Sequence, residues 1–261
     1  MRKLLTPGRA SPKLSKDGEE FESAILHLAP VDLAYAGRNV CPWASEGCRA
    51  ACLNTSGRGQ VSGALDREKL EAYPIHAARI ERTRFFFDNR QGFLRKLAQE
   101  LYALQKRAVK RGKKAVVRLN GTSDLPFESF RFGGRANIME AFPALQFYDY
   151  TKGIARALRS VTDLAWLKNY HLTFSNSGAV DRGTIESILQ AGVNVAVVFD
   201  RLPETRRVWR ETWKVIDGTV NDWRFKDPTD ERGAAVIVGL LPKGRAKHDM
   251  TGFVVRHTGA P

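Results

Sequence analysis

Residues 171–200 read HLTFSNSGAVDRGTIESILQAGVNVAVVFD and contain one strand–helix–strand pattern. The apolar runs His171–Phe174 and Asn194–Val198 are short and bounded by polar residues, which is typical of buried strands. Between them, Asp181–Ala191 has apolar residues at helical spacing and is followed by Gly192, a common residue after a helix. A strand, a helix and a strand in this order predict a right-handed βαβ unit with parallel strands.

The same alternation extends along the chain in both directions. Further strands are predicted at Ser23–Leu28, Ala115–Leu119, Gln146–Tyr150, Lys214–Ile216 and Ala235–Leu240. Further helices are predicted at Ile75–Phe87, Phe93–Ala108, Ala136–Phe142 and Ile154–Leu158. Six or seven strands are too few for a closed eight-stranded barrel. We therefore expect an α/β fold with a partial or distorted (β/α) barrel-like parallel sheet, and an open doubly wound sheet is the alternative.

Composition and length bound the domain organisation. The 261 residues are 43% apolar and 27% charged, as in ordinary folded proteins. There is no apolar run of membrane-spanning length, and the first twenty residues lack the apolar core of a secretory signal. We expect a soluble protein of the reducing cytoplasm, with a flexible basic arm at residues 1–22 and a single α/β domain at residues 23–261.

The cysteines of the chain, Cys41, Cys48 and Cys52, lie in one short segment. An odd number of thiols in a cytoplasmic chain argues against a disulfide framework, and soft ligands this close in sequence are typical of a metal site. One helical turn would point the sulfurs of Cys48 and Cys52 in the same direction, and a turn at Glu46–Gly47 would return Cys41 to them. The loop 41–52 is therefore predicted to bind a [4Fe-4S] cluster, for which three cysteines suffice.

Two other interpretations of the cysteines remain open. A zinc site needs a fourth ligand, and no histidine follows Cys52 at the spacing of a zinc finger. The candidate histidine donors are His27, His76, His171, His248 and His257. Alternatively, all three cysteines are buried as small apolar side chains and bind nothing.

Polar residues follow four consecutive predicted strands. Because the carboxyl ends of parallel strands meet at one edge of a sheet, these residues predict a single polar site beside the cluster. The candidate catalytic or binding residues are Asn120, Ser123, Asp124, Asp149, Lys152, Ser175 and Asp200. The alternative is that they form turns and cap helices, which is an equally good explanation for Asp181 and Asp200. It is a weaker explanation for Asp149 and Lys152, which have opposite charges.

Two later segments carry charge in loops. Residues 217–227 combine three acids with Arg224, which suits a metal or ribose site but equally an ion-paired loop. Residues 241–247, LPKGRAK, form a basic glycine loop that suits phosphate but lacks the Lys-Ser or Lys-Thr of a P-loop.

The chain has a formal net charge of +14, from 42 basic and 28 acidic residues. Such an excess attracts polyanions, although it also serves solubility alone. Between residues 106 and 118 there are cations and no acid. These predict contact with DNA or RNA, and the residues concerned are Lys106, Arg107, Lys110, Arg111, Lys113, Lys114 and Arg118.

Several segments together resemble a phage-encoded family called gene product eighty-eight. They are AILHLAP (24–30), CPWASEGCRAACLNTSGRG (41–59), RLNGTSD (118–124), YDYTK (148–152), DGTVNDWRFKDP (217–228) and GLLPKG (239–244). The resemblance extends from about Ser23 to Val254. It implies a phage or prophage origin and a location in the host-cell cytoplasm.

A looser similarity is to radical S-adenosylmethionine enzymes, which combine a three-cysteine [4Fe-4S] loop with a partial parallel barrel. That similarity implies S-adenosylmethionine as a second cofactor and an enzymatic function at the open iron. Those enzymes typically separate their cysteines by three and two residues, whereas the gaps here are six and three. No clear glycine-rich segment for binding the methionine part follows the cysteines.

Overall fold

The computed structural model describes residues 3–8, 20–61, 67–203, 207–208 and 212–256. Within them the strands are β1 (Leu5–Pro7), β2 (Phe21–Leu26), β3 (Lys114–Arg118), β4 (Gln146–Thr151), β5 (Tyr170–Ser175), β6 (Val195–Phe199), β7 (Arg207–Val208), β8 (Trp213–Asp217), β9 (Ile237–Leu240) and β10 (Val254–Val255). The α-helices are α1 (Glu46–Ala50), α2 (Arg67–Glu71), α3 (Pro74–Asp88), α4 (Arg90–Lys110), α5 (Ile138–Ala141), α6 (Ile154–Arg159) and α7 (Arg182–Gln190).

The chain divides into two compact units. Unit 1 comprises residues 1–42, 58–149 and 167–171, and unit 2 comprises residues 43–57, 150–166 and 172–261. The division falls within β4 and within β5, so each unit contains part of both strands.

Unit 1 contains a mixed sheet with mainly parallel pairing. β2 pairs in parallel with β3, and β3 pairs in parallel with β4, with Val117 opposite Phe147. β1 adds an antiparallel partner to β2, with Leu5 opposite Leu26. β1 lies inside the segment that the sequence assigned to a flexible arm, of which residues 1, 2 and 9–19 fall outside the described part.

Helix α4 supplies much of the core of unit 1. The apolar stripe predicted from the sequence is fully buried there, at Phe93, Leu97, Leu101, Leu104 and Ala108. These side chains join one cluster with Leu26, Val117 and Phe147 from the strands. Pro74 is the first residue of α3, a position where the missing N–H of proline costs the helix no hydrogen bond.

Unit 2 contains the predicted βαβ unit. β5 pairs in parallel with β6 through Phe174 and Val195, and α7 connects them with Asp181 as its N-cap. β6 and β9 pair in parallel, as do β9 and β8, whereas β7 is antiparallel to β8. β10 pairs in parallel with the end of β6. A second apolar core lies here and includes Phe174, Ile188, Val197 and Ile237.

The structure confirms the α/β class and the predominance of parallel strands. The ends of the predicted strands and helices differ from the observed ones by a few residues. Such differences are usual, because the ends of these elements fray. Barrel-like curvature and the organisation as one domain at residues 23–261 stay predictions.

Candidate functional site

Cys41 lies in unit 1, where two loops supply its polar contacts. The N–H of Val31 donates to Cys41 Sγ at 3.5 Å, and the thiol lies 3.8 Å from the carbonyl oxygen of Thr122. Thr122 is itself fixed, because its hydroxyl donates to the carbonyl of Leu28 at 2.6 Å. Leu28, Thr122 and Cys41 come from three of the segments that carried the family resemblance, and these contacts connect them in series.

Val31 has the left-handed backbone conformation, with φ of 55°. A β-branched side chain is strained in that region, typically by about 1–3 kcal/mol. The unusual turn brings the Val31 N–H to Cys41 Sγ, and the Val31 carbonyl accepts from the N–H of Val40 at 3.0 Å. Sequence reasoning missed this residue, since nothing in a valine signals a positive φ.

Cys48 lies in unit 2 on the short helix α1. Ser45 caps this helix: its hydroxyl accepts from the N–H of Cys48 at 3.0 Å and donates to the carbonyl of Ser177 at 2.6 Å. The cap thus fixes the helix start to the loop that follows β5.

Cys52 does not share that helix, contrary to the predicted common helical turn. α1 ends at Ala50, and Cys52 has an extended ψ of 130° at the start of the 3-10 turn Leu53–Thr55. The Glu46–Gly47 turn is also different from the prediction, because both residues form the first turn of α1. Cys41, Cys48 and Cys52 are each half-buried, and no disulfide joins them.

The remainder of the cysteine segment packs closely within unit 2. A Cβ at Gly47 would lie 2.3 Å from Thr251 Oγ1 and 3.2 Å from Phe253 Cβ, so only glycine fits there. Ala51 forms an apolar cluster with Ala246 and Val254. This segment therefore lies beside the loop between β9 and β10.

Lys152 and Ser175, two of the predicted site residues, are in contact. Lys152 Nζ donates to Ser175 Oγ at 2.8 Å, and it lies 5.2 Å from the centroid of the Phe253 ring. Both residues follow or end strands of unit 2, as the sequence predicted. The ammonium group is thus held at the same loop, residues 251–253, that α1 contacts.

Asn120, Ser123 and Asp149 also meet, in unit 1. Asp149 accepts from the N–H of Asn120 at 2.7 Å and from its side-chain amide at 3.1 Å. Asn120 Oδ1 accepts from Ser123 Oγ and from the N–H of Leu125, both at 2.8 Å. Asn120 and Asp149 are 2% and 0% exposed, so this network fixes the loop after β3. Asp124 is buried beside it, with its N–H donating to the carbonyl of Val40.

A buried histidine, His27, lies close to this loop, and the sequence predicts for it only a possible role as a zinc ligand. Burial lowers the pKa of His27 from 6.5 to about 3, and the charges of Arg79, Arg118 and Arg82 lower it as well. Its Nδ1 atom has no hydrogen-bond partner among the described residues. Gly121 leaves room for the ring, because a Cβ there would lie 2.6 Å from Nδ1.

The charged loop 217–227 contains a buried ion pair. Arg224 Nη1 lies 3.3 Å from Asp227 Oδ2, and both side chains are nearly inaccessible. Burial raises the pKa of Asp227 to about 6; the charge of Arg224 opposes this rise and that of Asp222 adds to it. Of the two interpretations offered for residues 217–227, the ion-paired loop therefore explains Arg224 and Asp227.

The basic segment of unit 1 is exposed. Helix α4 presents Tyr102, Lys106 and Val109 on one surface, with Lys106 Nζ lying 5.5 Å from the centroid of the Tyr102 ring. Two arginines of the segment bind one acid, since Arg111 and Arg107 lie 2.7 Å and 3.6 Å from Glu22. Lys110 and Lys114 are exposed, and Lys113 is half-buried.

Two further findings concern metals and membranes. Across the described ranges, no three His, Cys, Asp or Glu side chains are grouped so as to hold a metal ion. Within the same ranges, no helix has both the length and the apolar character needed to cross a bilayer. Cluster binding and S-adenosylmethionine binding stay predictions, and the zinc donor His257 lies outside the described residues.

No curated protein and no solved structure gives a significant match to the chain. One family model does match, under the description Gene product 88, and it covers residues 3–257. The match includes the cysteine segment, the strained turn at Val31 and both charged loops. Because it spans nearly the whole chain, this protein belongs to the gene product 88 family.

Proposed function

We propose that this protein binds an iron–sulfur cluster, of the [4Fe-4S] type, through Cys41, Cys48 and Cys52 in the reducing cytoplasm of a host cell. The spacing of the cysteines in the sequence supports this proposal. Six residues separate Cys41 from Cys48 and three separate Cys48 from Cys52, and these lengths allow the three sulfurs to reach one centre. A reducing compartment keeps the thiols available as thiolate ligands.

The observation that carries the proposal is the hydrogen bond from the Val31 N–H to Cys41 Sγ. A donor at a cysteine sulfur stabilises the thiolate, and hydrogen bonds to sulfur set the reduction potential of iron–sulfur clusters. A buried apolar cysteine has no need of a strained backbone turn for its sulfur. Strain at Val31 is typical of a functional site, where the surrounding structure holds an unfavourable conformation.

Cys48 has support of a different kind. The Ser45 cap and the close contact of Gly47 hold its helix, so the backbone position of Cys48 is determined by packing. A ligand held by rigid surroundings binds with a smaller loss of conformational entropy. Cys48 and Cys52 are both half-buried, which leaves their sulfurs partly accessible.

Zinc is a weaker alternative, because one of the histidine donors is unsuitable and another is restricted. His27 lies among three arginines, which repel a cation. The Nε2 atom of His76 is engaged by the carbonyl of Gly59 at 2.8 Å, which leaves only Nδ1 for a metal. A zinc site would therefore need His76 through Nδ1, or His171, His248 or His257.

The test is to compare the single variants Cys41→Ser, Cys48→Ser and Cys52→Ser after purification without oxygen. Each should lose most of the brown colour and the electron paramagnetic resonance signal of the reduced cluster, because serine oxygen is a poor ligand for iron. Ser56→Ala, in the same segment, is the control and should keep both. Retention of the full signal in the triple serine variant would contradict the proposal.

A second proposed function is contact with nucleic acid through the exposed surface of α4. The observation that favours it is the arrangement of Tyr102 beside Lys106 and near Lys110, with few acids to offset the cations. An aromatic ring for base stacking and cations for phosphates are the features that bind single strands. Glu22 offsets part of the charge of Arg107 and Arg111.

This second function predicts a change in salt dependence. The triple variant Lys106→Gln, Lys110→Gln, Lys114→Gln should bind single-stranded DNA more weakly, with the slope of log K against log salt reduced by about 2. The control triple Lys69→Gln, Lys168→Gln, Lys226→Gln has the same net charge, +14 less three, or +11. Equal losses in the two triples would show that the surface of α4 has no special role.

A further inference from the structure

A cleft of about 360 Å³ lies in unit 2 at the carboxyl ends of three parallel strands. Asp200 follows β6, Leu241 and Pro242 follow β9, and Arg256 follows β10. β6 pairs with β9 through residues 195–198 and with β10 through residues 198 and 199. The loops that leave β6 and β9 therefore border the cleft. Small-molecule sites in α/β proteins lie at such strand ends and measure about 300–1,000 Å³.

The walls of the cleft combine cations, one acid and an apolar floor. The cations are Lys247 and Arg256, and the acid is Asp200. The basic glycine loop singled out in the sequence supplies one wall, since Lys247 lies in the 3-10 turn Gly244–His248. The apolar residues lining the cleft are Leu241, Pro242, Ala246 and Val254.

Arg256 is positioned by a folded loop, which limits the freedom of its guanidinium group. One of its nitrogens, Nη2, donates to the carbonyl of Asp249 at 2.7 Å. The Asp249 carboxylate in turn accepts from the N–H of Val254 at 3.0 Å and from the hydroxyl of Thr251 at 2.6 Å. A planar guanidinium held in this way can still present its other N–H groups to an anion.

The carboxylate of Asp200 accepts hydrogen bonds, whereas Lys247 and Arg256 only donate them. Its N–H donates to the carbonyl of Val255, and its Oδ1 accepts from the N–H of Arg201 at 2.8 Å. A carboxylate at the end of a parallel strand is well suited to accept hydrogen bonds from sugar hydroxyls, while nearby cations bind phosphate oxygens.

We propose that this cleft binds a nucleoside phosphate, with the phosphates on Lys247 and Arg256 and the ribose hydroxyls on Asp200. The site does not require a cluster. It nevertheless lies beside the cysteine segment, because Ala246 and Val254 also pack on Ala51, next to Cys52. A Cβ at Gly244 would lie 3.0 Å from Ser56 Cβ, so the basic turn and the cysteine segment are in close contact. The proposed phosphate site is therefore a close neighbour of the segment that carries Cys48 and Cys52.

The experiment is calorimetric titration of the full chain with ADP, pyrophosphate and adenosine. ADP should bind, and adenosine alone should bind far more weakly because it lacks the charges. Lys247→Gln should weaken ADP binding about tenfold, since a charge-assisted hydrogen bond is lost. Lys247→Arg should retain most of the affinity. Arg182→Gln removes one cation from the exposed surface of α7 in the same unit and should leave ADP affinity unchanged.

The variant Asp200→Asn distinguishes recognition of the ribose from recognition of the phosphates. It should weaken ADP binding several-fold and leave pyrophosphate binding unchanged or tighter, because only ADP has hydroxyls for this residue. The proposal is overturned if ADP does not bind, or if Lys247→Gln and Arg182→Gln lower the affinity equally. It is also overturned if Asp200→Asn weakens ADP and pyrophosphate to the same degree.

Discussion

At the scale of single residues, His27 and Val31 show how strongly the fold of unit 1 constrains individual groups. Val31 has a backbone conformation that valine rarely adopts, and His27 is an uncharged imidazole close to three arginines. Neither state is favourable for the isolated residue. Each persists because neighbouring contacts fix it, at Cys41 for the first and at Gly121 for the second.

His27 should make the protein sensitive to acid. Its pKa is about 3 in the folded state and about 6.5 when unfolded, so between these values only the unfolded chain binds the proton. The free energy of unfolding therefore falls as the pH drops below about 6.5, by roughly 3 kcal/mol at pH 4 from this residue. The variant His27→Gln should lack this part of the acid dependence, as measured by urea unfolding at several pH values.

The comparison of His27→Gln with the unchanged protein cancels the titration of other groups. The difference in unfolding free energy between the two should shift in favour of the variant as the pH falls. In a direct check, the imidazole resonances of His27 should remain those of the neutral form at pH 5. A difference that stays constant from pH 7 to pH 4 would show that His27 is protonated normally.

At the scale of elements, α1 depends on a close contact rather than on its own length. It has only five residues, too few to be stable in isolation. Gly47→Ala would ordinarily favour a helix, but here the new methyl group meets Thr251 and Phe253. We expect the variant to lose about 1–3 kcal/mol of unfolding free energy, as in other overpacked sites.

A second substitution tests whether the contact is the cause. Thr251→Ala removes the oxygen that lies nearest to the new methyl group, so the double variant should recover part of the stability lost by Gly47→Ala. Additive losses in the two variants, or a stabilised Gly47→Ala protein, would mean that α1 is not packed against this loop.

The periodic elements were predictable because their signal is local. The buried stripe of α4 and the βαβ unit around α7 follow from the spacing of apolar residues alone. β1 was not predicted, since it is a three-residue strand whose pairing with β2 depends on distant residues. The end of α1 was also missed: four-residue spacing suggested one helix through Cys52, but the chain turns into a 3-10 segment at Leu53.

The candidate site was predictable only in part. The expectation that polar residues follow the strands led to two observed contacts, Asn120 with Asp149 and Lys152 with Ser175. Sequence could not reveal that Asn120 uses its side chain to fix its own loop, because that depends on Leu125 and Ser123 folding back. Residue type gives the donors and acceptors, whereas their partners depend on the path of the chain.

At the scale of the whole molecule, two apolar cores are built from different parts of one chain. The core of unit 1 centres on α4, and that of unit 2 centres on α7 with β6 and β9. Cys41 belongs to the first unit, and Cys48 and Cys52 belong to the second.

Whether the three cysteines bind an iron–sulfur cluster is measured by the metal content of the full chain purified without oxygen. A bound [4Fe-4S] cluster should give about four iron atoms and about four acid-labile sulfides per chain, with little zinc. The unfolding temperature should then be higher for the loaded protein than after removal of iron by a chelator. A colourless protein that contains zinc, or one that contains no metal and folds equally well, would show that no such cluster is bound.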